Sequence, residues 1–159
     1  MYPEPALKQL EISENLIQIG LKCQNDEEVI RQLGSLLQSG GYVKDTYIEA
    51  VIAREQLMPT GLATKAGGFA IPHTDSEHVY RSAIAIGKLD HPVNFKNMAS
   101  PTEDVPVKFV LLLAITEKKA GTNVLASLAE IFLDAERLNK IQGMHTTNEL
   151  SSFFSGIIQ

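Results

Sequence analysis

Phe109-Val110-Leu111-Leu112-Leu113-Ala114-Ile115 is the longest unbroken apolar run of the chain. It is far short of the ~20 residues that span a bilayer as a helix. An apolar stretch of this length with no polar alternation reads as a central strand buried on both faces. Such a strand needs a covering layer above and below, so this run decides the fold class. Upstream, Ser82 to Leu89 reads as another strand, and Phe69-Ala70-Ile71 as a short one that Pro72 ends or leaves at an edge. Nearer the N-terminus, Ile17, Ile19 and Leu21 alternate with Gln18, Gly20 and Lys22, the period of a strand with one buried face.

The covering layers are helical. Asn25 or Asp26 can cap a helix whose stripe is Val29, Leu33, Leu36 and Leu37, with Glu27 and Glu28 at the positive end of its dipole and Gly40-Gly41 as its stop. Asp45 can cap a second helix, with stripe Tyr47, Ile48, Val51 and Ile52, which ends by Met58 because Pro59 disfavours helical geometry in the residue before it. After the central strand, Thr122 or Asn123 can cap a helix with stripe Leu125, Leu128, Ile131 and Phe132. Thr146 and Glu149 form a capping box ahead of Leu150, Phe153, Phe154 and Ile157. Helices on either side of interspersed strands predict a single α/β layered domain over residues 1–159, a mixed sheet flanked by helices on both faces, with 1–10 as an N-terminal extension.

The chain has 159 residues, 44% hydrophobic and 21% charged, which suits one folded unit and argues against disorder. A formal net charge of -5 without a basic cluster excludes nucleic acid as a partner and suits docking to basic protein faces. One cysteine makes no internal disulfide, and Met1-Tyr2-Pro3-Glu4-Pro5 lacks the regions of a signal peptide, so a cytoplasmic location is expected. There is no P-loop, dinucleotide fingerprint or Gly-x-Ser-x-Gly elbow.

Four histidines carry the candidate chemistry. His91, in a polar turn before Pro92, and His145, before the Thr146 cap, read as solvated loop residues. His73 differs: it follows Pro72 at the mouth of a strand, where loops of α/β sheets carry function. Either it is an exposed loop histidine, or it is a nucleophile, or with Asp75 and His78 it holds a divalent metal. The metal set matches no standard zinc spacing and lacks a further ligand, so no metal is assigned. A phosphorylated imidazole needs a fixed tautomer and donors for a doubly charged group. Arg54, three residues after Val51, lies at the edge of the buried stripe and can grip two oxygens or make a salt bridge. Thr60 offers a hydroxyl, and Gly61 with Gly67-Gly68 offers amides or merely turns. Glu55 fixes a neighbour or makes a surface pair, the surface pair being the plainer reading. Cys23, with no second cysteine and no phosphate loop around it, is a bystander.

Ala53-Arg54-Glu55-Gln56-Leu57-Met58-Pro59-Thr60-Gly61-Leu62, followed by Gly68-Phe69-Ala70-Ile71-Pro72-His73, resembles the signature of the IIA component of the bacterial phosphoenolpyruvate-dependent sugar phosphotransferase system (PTS). The resemblance is to the fructose/mannitol superfamily, the type-2 EIIA domains, and covers the chain roughly from Glu11 onward. Pro-Thr-Gly and the pair His73 and His78 look most like its galactitol branch.

The resemblance implies a single α/β domain with a mixed sheet between helices, and a phosphotransferase component that works through a phosphohistidine without metal or organic cofactor. It implies that His73 receives a phosphoryl group on Nε2 from the carrier protein HPr and passes it to a cysteine of the IIB component, which serves the membrane component IIC. Arg54 matches the arginine of the phosphoryl pocket and Thr60 its Thr-Gly turn, with His78 and Glu55 as support. Mannitol-type and nitrogen-regulatory members carry a second histidine where this chain has Lys119-Ala120-Gly121-Thr122-Asn123-Val124. Thr122, Asn123 or His78 is expected in its place. Two rival readings are a regulatory domain that controls a partner by its phosphorylation state, and a metal-dependent hydrolase built on His73 and His78.

Overall fold

The computed structural model describes residues 10–158, with the side chains of 118–123 and 157–158 outside the described set. Five strands, β1 (Ile17–Leu21), β2 (Gly61–Thr64), β3 (Gly67–Ala70), β4 (Ala83–Lys96) and β5 (Asp104–Ala114), form one sheet in the order β1-β4-β5-β3-β2. The sheet is mixed: β1 runs parallel to β4 and β3 parallel to β5, whereas β4 and β5, and β2 and β3, are antiparallel pairs. The helices are α1 (Asp26–Ser39), α2 (Tyr47–Leu57), α3 (Lys118–Leu133), α4 (Ala135–Gln142) and α5 (Thr147–Ile158).

The apolar run is buried on both sides, as its composition requires. Val110, Leu112 and Ala114 face a core that includes Val29, Leu33 and Leu37 of α1 and Tyr47 and Val51 of α2. Phe109, Leu111, Leu113 and Ile115 face a second core with Leu128 and Phe132 of α3, Ile141 of α4 and Leu150 and Phe154 of α5. Each fully buried leucine contributes about 2 kcal/mol. Phe132 sits at the centre of the second core, its ring centroid 4.7 Å from that of Phe69 and 6.0 Å from that of Phe154.

Local signals account for most boundaries. Asn25 caps α1, its side-chain oxygen accepting the Glu28 N–H at 2.9 Å. Thr146 Oγ1 accepts the Glu149 N–H at 3.0 Å as the capping box demands. Five expectations change. Asp45 does not cap α2: Thr46 is the N-cap residue, and Asp45 accepts from Gln38 instead. Leu21 does not share a face with Ile17, because a register shift at Gly20, with φ of +75°, turns Leu21 into the α1/α2 core while Ile17 packs in the other. The strand from Ser82 continues beyond Leu89 to Lys96, so His91 lies in an irregular part of β4 rather than in a turn, its side chain exposed. The helix after β5 begins at Lys118, before Thr122 and Asn123, so neither caps it. A hairpin strand, β2, precedes β3 where only glycine-rich loop was expected. Of the N-terminal extension, 1–9 lies outside the described residues, and Leu10 is buried in the second core.

Candidate functional site

β3 ends at Ala70, and the next residues leave the sheet under restraint. The Ile71 N–H donates to Thr60 Oγ1 at 3.2 Å, and the Leu113 N–H of β5 donates to the Pro72 carbonyl at 3.0 Å. His73 Nδ1 lies 2.9 Å from the Ile71 carbonyl oxygen. A carbonyl only accepts, so Nδ1 carries the ring proton and Nε2 keeps its lone pair. The Tyr47 hydroxyl, fully buried, donates to the Leu113 carbonyl at 2.5 Å and ties α2 to the same strand end.

His73 borders a cleft of about 360 Å³ between the loop 73–77, the end of β5 and the start of α3. Leu113 and Ile115 line its apolar side, and Arg54, Asp75, Glu77 and Glu117 are its charged groups. Burial lowers the basicity of His73 below its ordinary value. The Arg54 charge pushes the same way, against the Ile71 carbonyl and Asp75. The imidazole is therefore neutral at physiological pH, the form a nucleophile requires.

Arg54 reaches the cleft from the last turn of α2. Its Nη1 is 3.7 Å from Asp75 Oδ1, an ion contact longer than a hydrogen bond, and its Nε is buried with no hydrogen-bond partner among the described residues. A buried unpaired donor beside a neutral imidazole calls for a ligand with acceptor oxygens.

Thr60 and Glu55, expected at the pocket, are turned away from it. Glu55 is only 5% exposed, so the surface pair is excluded. Its Oε2 accepts the Thr60 N–H at 2.8 Å and its Oε1 accepts the Thr60 hydroxyl at 2.9 Å. With its one proton given to Glu55 and a lone pair given to Ile71, the Thr60 hydroxyl has no donor left for a ligand. Burial pushes the Glu55 carboxyl up to about 7, against the two Thr60 bonds, with a further push from Asp26. On its far side, a second cavity of about 250 Å³ separates Glu55 from Asp26 and Glu27 of α1.

His78 does not orient His73. It ends a short 3₁₀ turn, Ser76–His78, that carries it to the start of α2, where Nδ1 lies 2.7 Å from Thr46 Oγ1. Thr46 and Arg54 are eight residues apart, roughly 12 Å along the helix. His73, Asp75 and His78 therefore share no common point, and among the described residues no group of three metal-ligating side chains converges. Thr122 and Asn123, the other replacements for a second histidine, have side chains outside the described residues. Gly61 and Gly68 are strand residues rather than phosphate-loop donors: a Cβ on Gly68 would overlap the Pro106 carbonyl of β5. Cys23 is half-buried after β1, its thiol pushed up by burial and by Glu28, which suits a bystander.

Sequence reasoning missed the Tyr47 tie and the burial of Glu55. Both signals were present: residues 47, 51 and 55 recur at four-residue spacing and share one buried face, and a tyrosine in an apolar stripe needs a partner for its hydroxyl.

A layered α/β domain that presents a neutral, single-tautomer histidine beside a half-buried arginine has the parts of a phosphoryl-carrying protein. The chain belongs to the EIIA 2 family of the phosphoenolpyruvate-dependent sugar phosphotransferase system, whose sequence profile matches residues 11–156. EIIA components are phosphotransferase components that carry a phosphoryl group, typically as phosphohistidine. The galactitol-specific EIIA component of Escherichia coli K12 is 30% identical over 112 residues, 70% of this chain and 74% of that one. The crystal structure of IIA mannitol from Escherichia coli superposes with a TM-score of 0.76 at 25% identity, over 91% of this chain and 99% of that one. A complex of enzyme IIA for mannitol with phosphorylated enzyme IIB, also from Escherichia coli, gives 0.75 at 23% identity, over 92% and 99%. Among the described residues no helix is long and apolar enough to cross a membrane.

Proposed function

We propose that this chain is one EIIA unit that carries its phosphoryl group on Nε2 of His73, taking it from the phosphohistidine of an HPr-type carrier and giving it to the cysteine of a IIB component in the cytoplasm. The observation that carries this reading is the hydrogen bond from Nδ1 to the Ile71 carbonyl, which leaves Nε2 as the nitrogen free to react. The Nε2 lone pair forms the new N–P bond as the donor's P–N bond breaks. Nδ1 keeps its proton, so the phosphorylated ring is cationic and readily gives up the group. Attack by a thiolate then breaks the N–P bond and returns neutral His73. Arg54 meets the phosphoryl oxygens with its guanidinium and the unpaired Nε.

A IIB partner is supported by the mannitol complex, and a galactitol-type system by the galactitol-specific relative together with the absence of a histidine from residues 118–124. That relative also favours a transport role over a regulatory one. Incubation with phosphoenolpyruvate, enzyme I and HPr is expected to add one acid-labile phosphate that mass spectrometry maps to His73. A His73→Ala protein that still takes up this phosphate refutes the assignment.

A further inference from the structure

Glu55 is a buried carboxyl that the transfer just described does not touch, yet an unbroken hydrogen-bonded path joins it to the reacting ring. The Thr60 hydroxyl gives its proton to Glu55 Oε1, so its lone pair is presented to the Ile71 N–H. One residue holds both ends of the next step: Ile71 is clamped at its N–H by Thr60 and receives the His73 Nδ1–H at its carbonyl. Pro72 adds no slack, because its ring fixes φ and its carbonyl is held by Leu113. We propose that Glu55, as a carboxylate, is a positioning residue for phosphoryl transfer, setting the direction of the Thr60 hydroxyl and through Ile71 the seat and tautomer of His73. This inference rests on His73 being the phosphoryl acceptor.

The direction of the path depends on charge. A protonated Glu55 is a donor at one oxygen. Either the Thr60 N–H loses its acceptor, or the Thr60 hydroxyl receives the Glu55 proton and turns its own hydrogen elsewhere, competing with the Ile71 N–H. The charged groups facing Glu55 are Asp26 and Glu27 of α1 across the second cavity, Glu27 being paired with Arg31; Arg54, its neighbour in α2, has its guanidinium at the cleft. Asp26 and burial keep the Glu55 ionisation near neutrality, whereas that of His73 is held below its ordinary value. The two groups are therefore shifted in opposite directions, the carboxyl up and the imidazole down.

The test measures phosphoryl uptake from phospho-HPr by the wild type and by Glu55→Gln from about pH 6 to about pH 8, taking the ratio of rates so that the donor's own titration cancels. The expected ratio is about tenfold to a hundredfold at the alkaline end, as for a small misplacement of a reacting group, and falls toward unity at the acid end. ¹⁵N spectra of the His73 ring are expected to show one Nδ1–H tautomer in the wild type above neutrality and a mixture in Glu55→Gln. Thr60→Val is expected to lose the same pH dependence and Thr60→Ser to recover it, a pair that carries the test should Glu55→Gln not fold. A rate ratio independent of pH, or a ring tautomer unchanged in a folded Glu55→Gln or Thr60→Val, overturns the inference. If wild-type phosphate maps elsewhere than His73, the parent reading fails; if it maps to His73 and these variants behave as wild type, only the positioning role fails.

Discussion

Replacing Glu55 by glutamine should make the protein more stable at neutral pH and leave its stability in acid almost unchanged. The carboxyl is 5% exposed and titrates at about 7 when folded, against an ordinary 4.5. The folded value is raised, so Glu55 costs nothing below about pH 4.5, where both states hold the proton. Its cost grows as the pH rises to about 7, because only the unfolded chain ionises in that window. At about 1.4 kcal/mol per pH unit the full cost is about 3 kcal/mol. Glutamine removes the titration and, like the protonated carboxyl, sets a donor against the Thr60 N–H or hydroxyl, so in acid the two proteins lack the same hydrogen bond. The variant is thus expected to match the wild type within about 0.5 kcal/mol at acid pH and to be more stable by about 3 kcal/mol above neutrality, the gap opening from about pH 4.5. Urea unfolding of both proteins across this range reads the difference directly, and the other titrating groups cancel. A difference that stays constant within about 0.5 kcal/mol would refute the reasoning, since the carboxyl would then ionise alike in both states.

Three further outcomes are expected. Arg54→Ala should slow phosphoryl uptake about a hundredfold, measured by single-turnover transfer from phospho-HPr, with Arg54→Lys intermediate because an ammonium lacks the planar fork. His78→Ala should leave that rate within about twofold and lower stability by about 1 kcal/mol in urea titration, the value of its bond to Thr46. Gly68→Ala should cost about 2 kcal/mol or more, because the added methyl meets the β5 backbone, which cannot swing aside as a side chain would.

The layered fold was legible because the signals were local and redundant. The run from Phe109 to Ile115 admits few alternatives, and the Asn25 and Thr146 caps announce themselves by residue type. The start of α3 was not legible, since Gly121 inside a first turn reads as a boundary. Leu21 leaves the face it shares with Ile17 in the alternation because a bulge at Gly20 reverses the alternation without changing the residues that alternate. At the site, His73 and Arg54 could be found from Pro72 and from the Val51 stripe. His78 could not be placed, because five residues of separation say nothing about which way a 3₁₀ turn carries the chain. Glu55 was misread by the rule that carboxylates face water, although the same helical arithmetic that put Arg54 at the rim puts its neighbour deeper.

The partner of His73 Nδ1 is main chain, not a side-chain carboxylate. No single codon change can delete it, because every amino acid at position 71 brings a carbonyl. On the proposed assignment, the choice of reactive nitrogen is thereby insulated from mutational drift at its own contact and at the main-chain Leu113 N–H that holds Pro72, and is exposed to it through the side chains of Glu55 and Thr60. A carbonyl also carries no full charge, so it orients the ring without anchoring the cation that phosphorylation creates. A carrier that must release its cargo to the next protein in line is served by an orienting contact of that weakness.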